Sequence, residues 1–311
     1  MDDVFRPPDG TAPAALSSRS RALARWAATQ LAAGLGCVYG HPCTDSFGIL
    51  MYHRVTETVP SVVDPSWNVT PGQFRAQLAG LLARGFQAWP LRKLLAHRAQ
   101  YGSVPPMAFV VTFDDGYANN YVNALPILAE LNVPATIFVA TAYLDSEQRF
   151  PFDDWLAAGT QRVPADSWRP LRTAECEELL DSGLIELGAH THHHELYLGR
   201  GDEFRADLGQ CLAVLERKFG ITRPSFALPY GAGDQVMVDI VRDVGMLCCL
   251  WTGNQPVDVN DGAFEWGRFD VSQRDTPSVL AAKLSGWYAA VTATGKRLYS
   301  PISDLSRAGR K

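Results

Sequence analysis

The chain has 311 residues, a formal net charge of −5, 47% hydrophobic and 20% charged residues, which suits a globular protein of one large domain or two small ones. With no basic surplus to neutralise phosphates, nucleic acid is excluded as the expected partner. No block of like charge marks an interaction tail.

Residues 1–18, rich in Pro, Ala, Ser and Asp, read as a loose tail. Arg19, Arg21 and Arg25 precede the modestly apolar run Trp26–Gly40. That run is too short and too polar to span a bilayer, so no membrane span is expected. Its basic residues stand too far from the start for a secretory signal. The LAAGLGC stretch ending at Cys37 is a poor lipoprotein site, because its leucine sits one position too close to the cysteine. The expectation is an amphipathic helix packed on the domain. The six cysteines, Cys37, Cys43, Cys176, Cys211, Cys248 and Cys249, form no CxxC pair. A chain this long needs no disulfides to build a core. They read as free buried thiols, Cys248 and Cys249 as core, and the compartment as cytoplasmic rather than secreted.

From Phe47 onward, apolar runs alternate with amphipathic segments. Phe47–His53 reads as a buried strand. Thr70 and Pro71 are good N-cap and first-turn residues for a helix that carries Phe74, Leu78, Leu81 and Leu82 and ends at Gly85. Met107–Phe113 is a second strand, a helix follows around Asn119–Leu131, and Ala135–Ala140 is a third strand. Thr173 caps a short helix that stops at Gly183. Leu184–His190 is the next strand, and Glu203–Phe219 a longer helix closed by Gly220. Ser225–Gly231 is a strand and turn, Val236–Val244 a helix, Met246–Thr252 extended, Arg268–Val271 a final short strand, and Pro277–Ala290 a closing helix. Strands alternating with helices imply parallel βαβ units, and their near-continuous apolar character implies burial on both faces. About seven such strands make an α/β fold, an open or closed (β/α) barrel. The chain divides into an extension over 1–44, a catalytic domain over 45–275, and a closing helix and tail over 276–311.

In such folds the chemistry sits at the C-terminal ends of the strands, and the polar residues fall there. Asp114 and Asp115 follow the strand that ends at Phe113. His190 ends its strand, with His192, His193 and His194 close behind. Tyr230 follows the strand from Ser225, and His53 ends the first. Two adjacent carboxylates after an apolar run are costly unless a cation lies between them. A carboxylate and two imidazoles leave coordination positions open for water and substrate, the pattern of a catalytic site, and the second carboxylate is then free to act as a base. Taken alone, DDG is as readily a turn, and a lone histidine would be a solvated loop residue. Four of the seven histidines within five positions favour a metal site. Spacing leaves His190/His194, His190/His193 and His192/His194 open as ligand pairs.

Thr112–Tyr117 (TFDDGY), Gly188–Leu196 (GAHTHHHEL) and Phe226–Gly231 (FALPYG) together resemble the polysaccharide deacetylase family, carbohydrate esterase family four with its NodB homology domain. Ile49–Val55 (ILMYHRV), Leu179–Thr191 (LLDSGLIELGAHT) and RFDV from Arg268 resemble its exopolysaccharide-associated branch. The resemblance runs from about Phe47 to Ala290 and implies a distorted (β/α)7 barrel of the NodB homology type. It implies Asp114 as base and Asp115, His190 and His194 as ligands of a divalent ion, zinc first, with nickel, cobalt or manganese as alternatives. It leaves His192 and His193 in support or facing solvent, and gives the backbone N–H at Tyr230 to the oxyanion. The implied partner is an acetylated carbohydrate, and the implied reaction releases acetate from N-acetylated amino sugars.

The chain departs from the family pattern twice. Ala227 stands where the third motif carries an arginine that orients the base; Arg268 is the substitute expected from another strand. No histidine follows His194, so the family's late general-acid histidine is missing, and His53 is expected in its role. The simpler readings are a packed strand-end histidine for His53 and a structural ion-pair partner for Arg268. Trp155, Trp251 and Trp266 are candidate walls against sugar rings, each reading singly as core. Asp153 and Asp154 read as a solvated turn. Two rivals keep the metal: a hydrolase of another C–N bond such as a small amide, which a substrate panel would separate, and a non-catalytic metal- or carbohydrate-binding module, which would bind metal without hydrolysis.

Overall fold

The structure is a computed structural model that describes residues 27–35, 45–253 and 255–292. The described part of the N-terminal extension is a helix, α1 (27–35). Then come β1 (Ser46–Tyr52), β2 (Arg54–Val55), β3 (Asn68–Val69), α2 (Pro71–Leu82), β4 (Gln87–Ala88), α3 (Leu91–Tyr101) and β5 (Ala108–Phe113). A π-helical turn, Asn120–Ala124, leads into α4 (Leu125–Leu131), followed by β6 (Ala135–Val139), α5 (Thr173–Asp181), β7 (Ile185–Ala189), α6 (Gly201–Phe219) and β8 (Phe226–Ala227). The chain closes with α7 (Gln235–Asp243), β9 (Cys249–Thr252), β10 (Val257–Asp258), β11 (Trp266–Asp270) and α8 (Pro277–Leu284).

Seven strands close on themselves in parallel, in the ring β1–β5–β6–β7–β8–β9–β11–β1. They are the seven runs read as strands from the sequence; five are shorter by a residue or more, β1 is shifted back by one residue at equal length, and β11 starts two residues earlier and is one longer. Two short strands extend the N-terminal rim: β4 pairs with the start of β5, and β10 pairs antiparallel with the start of β1.

The pleat divides each barrel strand between two cores. Phe47 and Ile49, Ala108 and Val110, Phe138 and Trp266 point into the barrel. Their neighbours Leu50, Tyr52, Phe109, Val111, Phe113 and Ile137 point outward beneath the helices. That two-sided burial explains the unbroken apolar runs. The barrel floor is filled by Trp266, edge-on to Phe47 with centroids 5.1 Å apart. Gly188 is needed on β7, because a Cβ there would lie 2.4 Å from the Phe138 ring.

Outside the barrel, Thr70 caps α2 in a reciprocal pair with Gln73. Thr173 is the first residue of α5 rather than its cap; its N–H and hydroxyl both donate to Asp145. The closing helix is shorter than predicted. It breaks at Ser285 and Gly286 (φ +80°) before helical residues 287–292. Within α1, Ala32 and Ala33 are buried against Val279 and Ala282, so this segment packs on the domain as expected. Cys37 and Cys43 lie outside the described residues. Cys176, Cys211, Cys248 and Cys249 are free and buried. No helix among the described residues is long and apolar enough to cross a membrane.

Candidate metal centre and active-site cleft

The C-terminal ends of β1, β5, β7, β8 and β9 meet at one cleft of about 310 Å³, lined among others by His53, Asp114, Asp115, His190, His194 and Tyr230. The turn reading of DDG holds, and both aspartates line the cleft. Gly116 N–H donates to the Asp114 carbonyl at 2.9 Å, and this tight turn aims two consecutive carboxylates into the cleft. Asp115 (φ +72°), Thr191 (+64°), His194 (+58°) and Tyr230 (+58°) all occupy the left-handed region. With Trp67 (φ +56°), five non-glycine residues around one cleft are so strained, and such backbone persists only where packing imposes it.

Asp115, His190 and His194 each offer one ligand atom, all within 4.8 Å of one another. The Asp115 Oδ1 lies 3.5 Å from His190 Nε2 and 3.2 Å from His194 Nε2. His190 Nδ1 is 2.8 Å from the Ala227 carbonyl oxygen, which can only accept. A proton therefore sits on Nδ1, which leaves Nε2 as the atom that, in the neutral ring, would turn a lone pair toward the carboxylate. Lone pairs converging with a carboxylate oxygen repel unless a cation lies among them, so the donor set fits a metal on its own geometry. Without one, the charges act on protons. Burial lowers the His190 pKa, but Asp114 and Asp115 together raise it above its ordinary value. Burial would raise Asp115, yet hydrogen bonds from His190 and His194 hold it well below the carboxylate range.

The other two histidines turn away. His192 Nδ1 meets the Thr141 hydroxyl at 2.8 Å, and His193 Nδ1 meets Asp207 at 2.7 Å. Of the three pairs left open by spacing, His190 and His194 are the two that reach Asp115.

Asp114 is held by Arg268. The guanidinium contributes Nη1 to Oδ1 at 2.6 Å and Nη2 to Oδ2 at 2.7 Å, with none of Arg268 exposed. Burial would raise the Asp114 pKa, but the Arg268 charge, assisted by His190, holds it below its ordinary value. Ala227, at the position where an arginine was expected, instead faces the barrel interior. His53 is half-buried, lines the cleft and stacks on Trp67 with centroids 5.3 Å apart. Burial lowers its pKa, against the opposing pull of Asp115 and Asp114. Tyr230 sits on the turn Pro229–Gly231 with its ring 4.8 Å from that of His194. Gly231 (φ +59°) is required there, since a Cβ would lie 2.2 Å from Thr252.

For the three tryptophans the reading as core stands over that as sugar walls, and the expectation for Asp153 is corrected. Trp155, Trp251 and Trp266 do not line the cleft: Trp266 is the barrel floor, the Trp155 indole donates to the Val63 carbonyl, and that of Trp251 to the Phe264 carbonyl. Trp67 lines it instead. Asp153 is no solvated turn. It is buried in an ion pair with Arg54, whose guanidinium also donates to the Tyr117 hydroxyl at 2.8 Å and lies 4.1 Å from its ring centroid. The neighbouring Phe152 stacks on His194 with centroids 3.8 Å apart. Sequence reasoning missed Arg54, Phe152 and Trp67. Arg54 begins β2 of the short β2–β3 pair, Trp67 immediately precedes β3, and Phe152 sits in coil that carries no periodic signal.

The sequence profile of the family described as polysaccharide deacetylase matches residues 102–249. A poly-beta-1,6-N-acetyl-D-glucosamine N-deacetylase of Staphylococcus aureus (strain MSSA476) is 23% identical over 190 residues, covering 58% of this chain and 60% of the relative. The protein of that name from Staphylococcus epidermidis is 25% identical over 202 residues, covering 58% and 64%. The chain thus spans about 60% of the length of the curated relatives it matches first. Among solved structures, the Streptococcus pyogenes deacetylase PplD superposes with a TM-score of 0.65 at 18% identity, covering 78% of this chain and 99% of that one. IcaB from Ammonifex degensii superposes with a TM-score of 0.62 at 24% identity, covering 78% and 97%. These likenesses carry the fold.

Proposed function

We propose that this chain, which belongs to the polysaccharide deacetylase family, is a metal-dependent hydrolase that removes acetyl groups from N-acetylated amino sugars of a polysaccharide and releases acetate. The observation that carries the reading is a second carboxylate, Asp114, locked by Arg268 beside the three-donor set of Asp115, His190 and His194.

A carboxylate with two imidazoles suits zinc. When bound, such a cation supplies a Lewis acid that polarises the acetamide carbonyl and eases deprotonation of water. The rest falls to the chain's own residues. Asp114 is kept ionised by Arg268 and takes a proton from the attacking water. The backbone N–H at Tyr230 faces the oxygen that gains charge as water adds to the carbonyl, a kind of donor contributing on the order of 3 kcal/mol. His53, whose burial lowers its pKa against the opposing pull of Asp115 and Asp114 and so makes its protonated ring the stronger acid, gives a proton to the departing nitrogen. One water and one amide become acetate and a free amine. The names of the relatives put β-1,6-linked N-acetylglucosamine oligomers first among substrates to try. With these, Asp114→Asn is expected to lower acetate release by roughly 10²–10⁴-fold while leaving the fold intact; undiminished turnover overturns the base. A panel of small amides, run in parallel, tests the rival hydrolase.

A further inference from the structure

Asp207 lies on α6, outside the cleft, and is 4% exposed. Its carboxylate accepts from the backbone N–H of His192 at 2.6 Å, the backbone N–H of His193 at 3.1 Å, and His193 Nδ1 at 2.7 Å. The Tyr197 hydroxyl bonds to it as well; burial and this bond raise the Tyr197 phenol. The backbone donors belong to the loop that runs between His190 and His194. That loop leaves β7 through two left-handed residues, Thr191 and His194, and the Thr191 hydroxyl accepts the His194 N–H at 2.9 Å. A chain leaving a parallel strand does not adopt this shape by itself. Two consecutive N–H groups must be gathered on one acceptor, and a carboxylate, with two acceptor-only oxygens, is the side chain that does so. The helix that supplies it is anchored by buried Phe204, Leu208 and Cys211.

Resting on the reading that Asp115, His190 and His194 hold the metal, we propose that Asp207 is a positioning residue that sets the histidine loop in its ligating shape before the ion arrives. Asp207 makes no contact with the ion or the substrate. It fixes where the His194 ring hangs relative to His190. Asp207→Asn keeps the volume but replaces one acceptor oxygen with an NH₂ group that faces donors.

The test uses the full chain stripped of metal and titrated with Co(II), followed by its visible absorption, with chelator competition for the Zn(II) affinity. Asp207→Asn is expected to weaken both affinities by about 10- to 100-fold and to alter the Co(II) spectrum. His193→Ala removes only the side-chain bond and should leave affinity near wild type. A purely structural role would lower the melting temperature and leave Co(II) affinity and spectrum untouched, and that result overturns the proposal. Should Asp207→Asn fail to fold, amide hydrogen exchange on the unmutated metal-free chain decides. Slow exchange at His192 and His193 supports a loop shaped in advance, and fast exchange overturns it. If the wild type itself binds no Co(II), the metal reading falls and takes this one with it. Wild-type binding with an unchanged Asp207→Asn sinks the proposal alone.

Discussion

Arg268 carries a full charge into the barrel with no surface exposed, and it rests 5.5 Å from the Phe138 ring centroid. Such a charge is stable only because Asp114 meets it with two parallel hydrogen bonds, while Thr112 and the Trp251 carbonyl take further guanidinium contacts. Removing one partner leaves the other buried and unpaired, which costs about 3–5 kcal/mol. Arg268→Met is therefore expected to lose that much stability in urea unfolding. Arg268→Met with Asp114→Leu should recover part of it, since the pair then becomes apolar. A double variant as unstable as the sum of the singles would show that the two residues are not energetically coupled. Nothing local in the sequence announces this pair, whose members stand 154 positions apart. What the sequence offered was an arginine at the start of an apolar strand and a missing one at Ala227, enough to suggest the replacement but not its forked geometry.

At the scale of elements, the strands were legible because burial on both faces demands continuous apolar runs, as in Ala108–Phe113 and Ala135–Val139. Helix α3 was passed over although Leu91, Leu94 and Leu95 repeat at helical spacing, because the rest of the segment is polar and its N-cap, Pro90, makes no side-chain cap. The stretch between β6 and α5 was opaque for a different reason. It contains only short 3₁₀ turns, so no periodicity marks its face, and Asp153 finds its partner Arg54 at a separation of 99 residues. The far end of that stretch is fastened by Glu175, which accepts from the Arg172 N–H at 2.9 Å and pairs with Arg169 at 2.6 Å. Burial would raise the Glu175 pKa, but the Arg169 hydrogen bond and charge hold it below the ordinary value. A depressed carboxylate contributes stability that is present above its unfolded value, about 4.3, and is lost as pH falls through the lower folded value. Glu175→Gln is thus expected to cost about 1–3 kcal/mol at neutral pH. The gap to wild type should shrink below about pH 4.3. Urea midpoints measured at both pH values check this; a gap that is constant across them would mean the charge contributes nothing.

For the whole molecule, the decisive feature is the separation between what holds the barrel and what forms the site. The seven strands close through their own hydrogen bonds, and two apolar cores fill the barrel and cover it. The candidate metal donors stand on the C-terminal rim in strained left-handed backbone or beside it. A small zinc domain, by contrast, derives its folding energy from the ion. Here a chelator is expected to abolish acetate release while far-ultraviolet circular dichroism and cooperative unfolding persist. Restoring zinc to about 100 times its dissociation constant should then add about 2.7 kcal/mol by mass action, since only the folded chain gathers the three donors. Asp115→Ala should erase that increment and also cost the metal-free chain some stability, because the hydrogen bonds that hold the Asp115 carboxylate ionised are lost with it. Unfolding on chelation alone would assign the ion to the architecture rather than to the chemistry, and a zinc increment that survives Asp115→Ala would place the ion elsewhere.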